Sequence, residues 1–135
     1  MKILLDTHVI IWMLTDDPRL SKSARVMIEN PDNIIYYSTA SIWEIAIKNF
    51  KSPEKCPYNE EQIADLCVRS GYEPLDIKAE HISFIRTLKI NKEKELKNYD
   101  PFDRMLIAQA KAEGMILISH DSNFCNYSEK CIRMI

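Results

Sequence analysis

The strongest constraint in this sequence is an alternation of apolar runs too short for a helix with longer stretches of helical character. Lys2 to Leu5, Ile34 to Tyr37 and Met115 to Ile118 are such runs. They are of strand length, and Ile34 to Tyr37 is β-branched and aromatic throughout, the composition that packs well on a pleated surface. Strands separated by helices predict an α/β fold around a mainly parallel sheet. Met115 to Ile118 is apolar at every position, as a central strand covered on both faces requires. With 135 residues, 46% of them hydrophobic and 28% charged, and no internal repeat or low-complexity linker, there is material for one core. Residues 1–135 therefore read as a single domain.

Local signals place the helices. Asp6-Thr7 turns the first strand into a short apolar helix around Val9 to Leu14, Ser21 caps a helix running towards Asn30, and Ser41 opens a helix carrying Ile42, Ile45 and Ala46 on one side. Glu60 to Ser70 is helical and stops at Gly71, where glycine can take the left-handed conformation that closes a helix. Tyr72 to Ile77 supplies a short strand and Lys78 to Thr87 an amphipathic helix. Lys89 to Asn98, rich in lysine, glutamate and asparagine, reads as an exposed, mobile connection. Asp100-Pro101 is a strong helix start, because aspartate accepts from the free amides of the first turn and proline has no amide hydrogen to leave unpaired. That helix runs to Glu113, before Gly114, and Ser119-His120-Asp121 follows the last strand.

In an open α/β sheet the loops beyond the C-terminal ends of the strands converge on one crevice. Asp6 ends the first strand, Glu44 lies early in the helix after the second, Asp103 sits in the first turn of its helix, and Asp121 follows the last strand. Ligand sets made only of carboxylate oxygen suit hard cations such as magnesium and manganese. Those ions suit phosphodiester hydrolysis, since they make a bound water acidic and offset charge on the leaving oxygen. Each acid also has an ordinary structural reading. Glu44 follows Ser41 at the spacing of a capping box, Asp103 meets a helix dipole, and Asp121 suits a turn. Asp6 resists such a reading, because an acid directly after Ile3-Leu4-Leu5 is costly to desolvate without a partner. The conjunction, rather than any one residue, points to a site. His8, His81 and His120 are unrelated in spacing. His8 and His120 flank proposed acids, but neighbours at a strand end point apart, so no direct role is assigned to them. Asp100 reads as a helix cap.

A formal net charge of -2 gives no overall attraction to phosphate backbones, so a nucleic acid would have to be held locally. Bound divalent cations would reverse the sign of an acidic site, with Lys48, Lys51, Lys55 and Arg104 guiding the strand. Cys56, Cys67, Cys125 and Cys131 show no C-x-x-C pair and no histidines at zinc spacing, which argues against a zinc site. They are expected to be reduced and mostly buried. Asp6 interrupts the apolar N-terminus and no run approaches the roughly 18 apolar residues of a membrane span, so the expected location is the cytoplasm, with no membrane partner.

Four segments, taken in order, carry a family likeness: Leu4-Leu5-Asp6-Thr7-His8-Val9; Ser38-Thr39-Ala40-Ser41-Ile42-Trp43-Glu44-Ile45; Asp100-Pro101-Phe102-Asp103-Arg104 with Leu106-Ile107-Ala108-Gln109-Ala110; and Ile118-Ser119-His120-Asp121 with Phe124 and Tyr127. Together they resemble the motifs of PIN-domain nucleases, and within these the VapC-type toxins of bacterial toxin-antitoxin pairs. The third is similar to the signature of one VapC subgroup. The resemblance runs nearly end to end. It implies a three-layer α/β/α sandwich, a metal-binding catalytic quartet of Asp6, Glu44, Asp103 and Asp121, magnesium or manganese as cofactor, a cognate antitoxin and frequent homodimers. Ser119 stands where many relatives have threonine, which keeps a hydroxyl near the metal or its water, and Tyr99 precedes Asp100 where the subgroup has a histidine nearby. An antitoxin segment would place a basic side chain among the acids and grip apolar surface around Trp12.

The expected function is therefore a metal-dependent endoribonuclease that hydrolyses RNA phosphodiester bonds with a metal-activated water, the toxin of a toxin-antitoxin pair. A housekeeping PIN nuclease of RNA maturation would carry the same site; a short neighbouring reading frame encoding a DNA-binding antitoxin separates the two. Retention of all four acids argues against a non-catalytic PIN-like binding module. A phosphorylatable receiver needs an acidic pair after its first strand and an aspartate ending a middle strand, whereas Asp6 is followed by Thr7-His8 and the second strand ends in Ser38-Thr39. A haloacid-type phosphatase needs a second aspartate where His8 stands.

Overall fold

The computed structural model describes residues 1–91 and 100–135; most of the connection expected at Lys89 to Asn98 lies outside the described residues. Strands β1 (Lys2–Leu5), β2 (Ile34–Ser38), β3 (Glu73–Leu75), β4 (Ile116–Ser119) and β5 (Ile132–Met134) form one five-stranded sheet in the order β3-β2-β1-β4-β5, with every pairing parallel. β1 is central, and Leu5 stands beside both Tyr37 and Ile118. β5 has no counterpart in the sequence reading. Ile132-Arg133-Met134 carries a charge at its middle and lies half open on the sheet's edge, so its apolar signal is thin.

Side chains alternate across the strands and divide the core in two. Ile3, Leu5, Ile35, Tyr37 and Ile118 face a layer made by α1 (Thr7–Leu14), α2 (Lys22–Glu29) and α4 (Glu60–Arg69), which contribute Ile10, Ile28 and Ile63 among others. Leu4 and Leu117 face the opposite layer, where α6 (Pro101–Glu113) places Leu106, Ile107 and Ala110. α5 (Ala79–Ile85) packs on α6. α3 (Thr39–Lys51) sends Ile45 into the first cluster and Ala40 into the second. The result is the three-layer α/β/α sandwich around a parallel sheet.

Most helix ends follow the sequence signals. Ser21 Oγ accepts from the Ala24 amide at 3.2 Å, and Asp100 Oδ1 accepts from the amides of Phe102 at 2.8 Å and Asp103 at 3.3 Å. Gly114 closes α6 at φ +66°. The start of α3 differs. Ser38, the last residue of β2, is its cap and accepts from the Ala40 amide at 3.0 Å. The cap therefore lies three residues before Ser41, and the Ser41–Glu44 spacing is not a capping box. Ser38 and Ser41 offer the same local chemistry and both are fully buried; they differ in partner, Gln109 of α6 for the Ser38 hydroxyl and Thr7 of α1 for that of Ser41.

The first residues of the expected loose connection are tied down. Ile90 forms an isolated antiparallel bridge with Tyr127, and the Asn91 amide donates to Asn126 O at 2.8 Å. Of the unpaired cysteines, only Cys67 is buried; Cys56 and Cys131 are half-buried and Cys125 is exposed, a more open set than expected. Among the described residues no helix is long and apolar enough to cross a membrane.

Candidate functional site

β1 and β4 are neighbours that end at the same edge, which brings Asp6 and Asp121 together. The Asp6 amide donates to Ile118 O at 3.1 Å. Ser119 Oγ donates to Asp6 Oδ2 at 2.7 Å and accepts from the Asp121 amide at 3.0 Å. Asp6 Oδ1 caps α1 by accepting from the Thr7 amide at 2.7 Å, and Thr7 Oγ1 donates to Ser41 Oγ at 2.9 Å, one turn ahead of Glu44 on α3. Asp103 arrives in the first turn of α6. Asp6, Glu44 and Asp103 are all buried.

The acids feel one another. Burial is the largest influence on Asp6; the hydrogen bonds from Ser119 and Thr7 pull against it, and the charges of Glu44 and Asp121 add to it, leaving its pKa raised to about 6. Asp103 is pushed up to about 8, first by burial and then by Asp100, Asp6, Asp121 and Glu44. The hydrogen bonds that steady Asp6 have no counterpart at Asp103 among the described residues, which accounts for the larger rise. Glu44 Oε2 pairs with Lys48 Nζ one turn along α3 at 3.0 Å. Asp121 Oδ1 accepts from the Asn123 amide at 2.9 Å and caps the 3₁₀ segment Ser122–Asn126. Asp100 is the cap it was read to be, and its charge also bears on Asp103.

The donor chemistry suits a hard divalent cation. Two buried carboxylates raised towards or above neutrality gain most from a positive charge among them, and every donor is oxygen. Among the described residues, no three histidine, cysteine or acidic side chains stand together closely enough to enclose an ion as placed. Glu44 is engaged by Lys48, and Asp121 by its capping bond.

Other residues fall differently from expectation. Arg104 is buried, and its guanidinium donates to Ile85 O of α5 at 3.4 Å, so it does not guide a strand into the site. Trp12 is 8% exposed, with the Arg19 guanidinium 4.9 Å above its ring and the His120 ring 5.2 Å away at its edge. What it leaves open lines, with Ile11, Cys56, Pro57 and Tyr58, a groove between α1 and the C-terminal part of α3. Among the described residues the exposed tryptophan and phenylalanine rings are Trp43, 60% exposed and edge-on to Phe102, and Phe50, 90% exposed, both on α3. His8 keeps an exposed face, yet desolvation by the surrounding protein, and then the Lys48 charge, hold its pKa below the usual value. His81 is remote: it is buried between α5 and α6, its Nδ1 accepts from the Lys78 amide, and Nε2 therefore donates to Glu113 at 2.8 Å. The Glu44–Lys48 pair escaped the sequence reading although its i,i+4 spacing signals it.

No curated protein matches this chain in sequence. In fold it is similar to VapBC2 from Rickettsia felis bound to a DNA fragment from their promoter, with 18% identity over 99% of this chain and 98% of that chain and a TM-score of 0.70. It is also similar to DNA-bound VapBC from Salmonella typhimurium, with 19% identity, 99% and 98% coverage and a TM-score of 0.68. VapBC-1 from nontypeable Haemophilus influenzae gives 20% identity, 93% and 92% coverage and a TM-score of 0.60. At these identities the likeness is one of fold. The family model of the PIN domain matches residues 3–130. A parallel sheet with acids gathered at its C-terminal edge and a family match across nearly the whole sequence lead to one assignment: the chain belongs to the PIN domain family.

Proposed function

We propose that this protein is a divalent-metal-dependent endoribonuclease of the VapC type, a cytoplasmic toxin restrained by a cognate antitoxin. The observation that carries the reading is the pair of buried, raised carboxylates, Asp6 and Asp103, held within the field of Glu44 and Asp121. Membership of the PIN family and likeness to the toxin-antitoxin complexes support it.

Asp6, Glu44, Asp103 and Asp121 would hold magnesium or manganese. The cation, when bound, supplies the charge that acidifies an attacking water and offsets the leaving oxygen of RNA. The chain's own part is positioning. The Thr7 amide and Ser119 hydroxyl fix both oxygens of Asp6, so that carboxylate is presented in one orientation. To hold the cation, Asp103 would have to be ionised and Glu44 would have to be released from Lys48. Burial of these groups removes competing solvent and strengthens each charge contact. A homodimer is part of the same reading, since Trp43 and Phe50 leave apolar area uncovered on α3.

Incubating purified protein with total RNA and magnesium, then sequencing fragment ends, tests the activity. Discrete cut sites that vanish in EDTA are expected; intact RNA under both conditions overturns the nuclease reading. Expression without the neighbouring small gene should slow growth, and co-expression should relieve it. If wild type and Asp6→Asn are equally harmless at matched expression, RNA maturation becomes the better account.

A further inference from the structure

A groove of about 590 Å³ opens beside the acids, between α1 and the C-terminal part of α3 with the turn beyond it. Its charged lining sets Arg19, Lys48, Lys51 and Lys55 against a single carboxylate, Asp17. Arg19 already satisfies Asp17, through Nε at 3.1 Å and Nη2 at 2.7 Å. The chain as a whole carries a net charge of -2, so this excess of positive charge is a local feature. Lys51 and Lys55 are exposed and enter no ion pair among the described residues.

The groove adjoins the acidic cluster through Lys48 and His8. Glu44, Lys48 and Lys51 follow one another by four and three residues, which puts them on one face of α3, and Lys55 follows in the turn beyond. Lys48 links the two regions, lining the groove while its Nζ holds Glu44 at 3.0 Å. His8, two residues after Asp6, lines the same groove.

We propose that this groove holds the single-stranded RNA flanking the scissile bond, with Lys51 and Lys55 meeting backbone phosphates on one side of the phosphate at the acids. The inference rests on the nuclease reading above. Ammonium groups on flexible stems suit phosphates as point charges without reading sequence. A phosphodiester strand satisfies both ends of this surface, since its phosphates attract the lysines and, with a divalent cation, the carboxylates. An acidic peptide satisfies only the lysine end and is repelled at the other.

Fluorescence anisotropy of a short, mixed-sequence, labelled single-stranded oligoribonucleotide in EDTA, across a salt series, tests this. The Lys51→Ala/Lys55→Ala protein should bind several-fold more weakly than wild type. Its plot of log affinity against log salt should be shallower by about 1.4, at about 0.7 for each single-strand phosphate that a lysine no longer neutralises. Lys51→Arg/Lys55→Arg should keep the wild-type slope, and both variants should melt with wild type. In magnesium, the alanine pair should raise KM more than it lowers kcat. Unchanged affinity and slope in the alanine pair, while wild type cuts RNA, overturns the groove assignment and leaves the nuclease reading standing. A wild type that neither binds nor cuts RNA overturns both. If the alanine pair keeps the RNA slope but loses its complex with the product of the neighbouring small gene, the groove is a protein-docking surface and the proposal fails.

Discussion

The Ser119 hydroxyl joins the ends of two adjacent strands, donating to Asp6 at 2.7 Å while accepting from the amide of Asp121 at 3.0 Å. Ser119 is fully buried. One side chain thereby fixes the orientation of one acid and the backbone leading to another.

Ser119→Ala should destabilise the metal-free fold by about 1–3 kcal/mol, the usual cost of losing a buried hydrogen bond to a charged group. It should also move the Asp6 pKa above its value of about 6, because the Ser119 bond is the largest influence lowering it. Denaturant melts and NMR titration of the Asp6 carboxyl measure the two effects. Ser119→Thr, which keeps the hydroxyl, should behave like wild type.

Asp6→Asn, Glu44→Gln and Asp103→Asn should each lower magnesium-dependent cleavage by at least about a hundredfold while the protein stays folded, since the amide keeps shape but removes the charge that would hold the ion. Asp121→Asn should be milder, because that carboxylate is engaged in capping Ser122–Asn126. Circular dichroism beside a cleavage assay checks both halves. A variant cutting near the wild-type rate removes that residue from the proposed ligand set.

Without metal, stability should fall as pH rises from about 4 to about 8. Over that window native Asp103, with its pKa pushed up to about 8 from 3.8, keeps a proton that the unfolded chain has released. The native state then binds more protons, and the slope of stability against pH is negative; Asp6, raised to about 6, adds to it over the lower part. In EDTA, Asp103→Asn should therefore melt higher than wild type near the top of the window and show a flatter pH profile. Magnesium should raise the wild-type Tm more than the variant's. Equal shifts would count against a metal site containing Asp103.

Gly114→Ala should cost about 1–2 kcal/mol. Gly114 ends α6 at φ +66° with open space where a Cβ would stand, so the cost is backbone strain rather than a clash. Gly114→Asn should recover part of the loss, because asparagine tolerates the left-handed region. Urea melts of both variants test the ordering.

Local chemistry wrote much of this protein directly into its sequence. Apolar runs of strand length set β1, β2 and β4; Asp100-Pro101 and Gly114 set both ends of α6; and the placement of Asp6, Glu44, Asp103 and Asp121 after strands or at helix starts brought them to one edge. Such features depend on neighbours within a turn or two, which a sequence displays. Tertiary packing decided the rest. Ser38 rather than Ser41 caps α3, with the Ser38 hydroxyl set against Gln109 and that of Ser41 taken up by Thr7. Ile132 to Met134 becomes a strand because β4 offers an open edge. Arg104 turns towards α5 and Trp12 lies beneath Arg19, where helix packing rather than residue type sets their surroundings. The raised pKa values of Asp6 and Asp103 belong to the same class: desolvation and the charge of distant acids act through space, and their strength depends on distances that the order of residues does not contain.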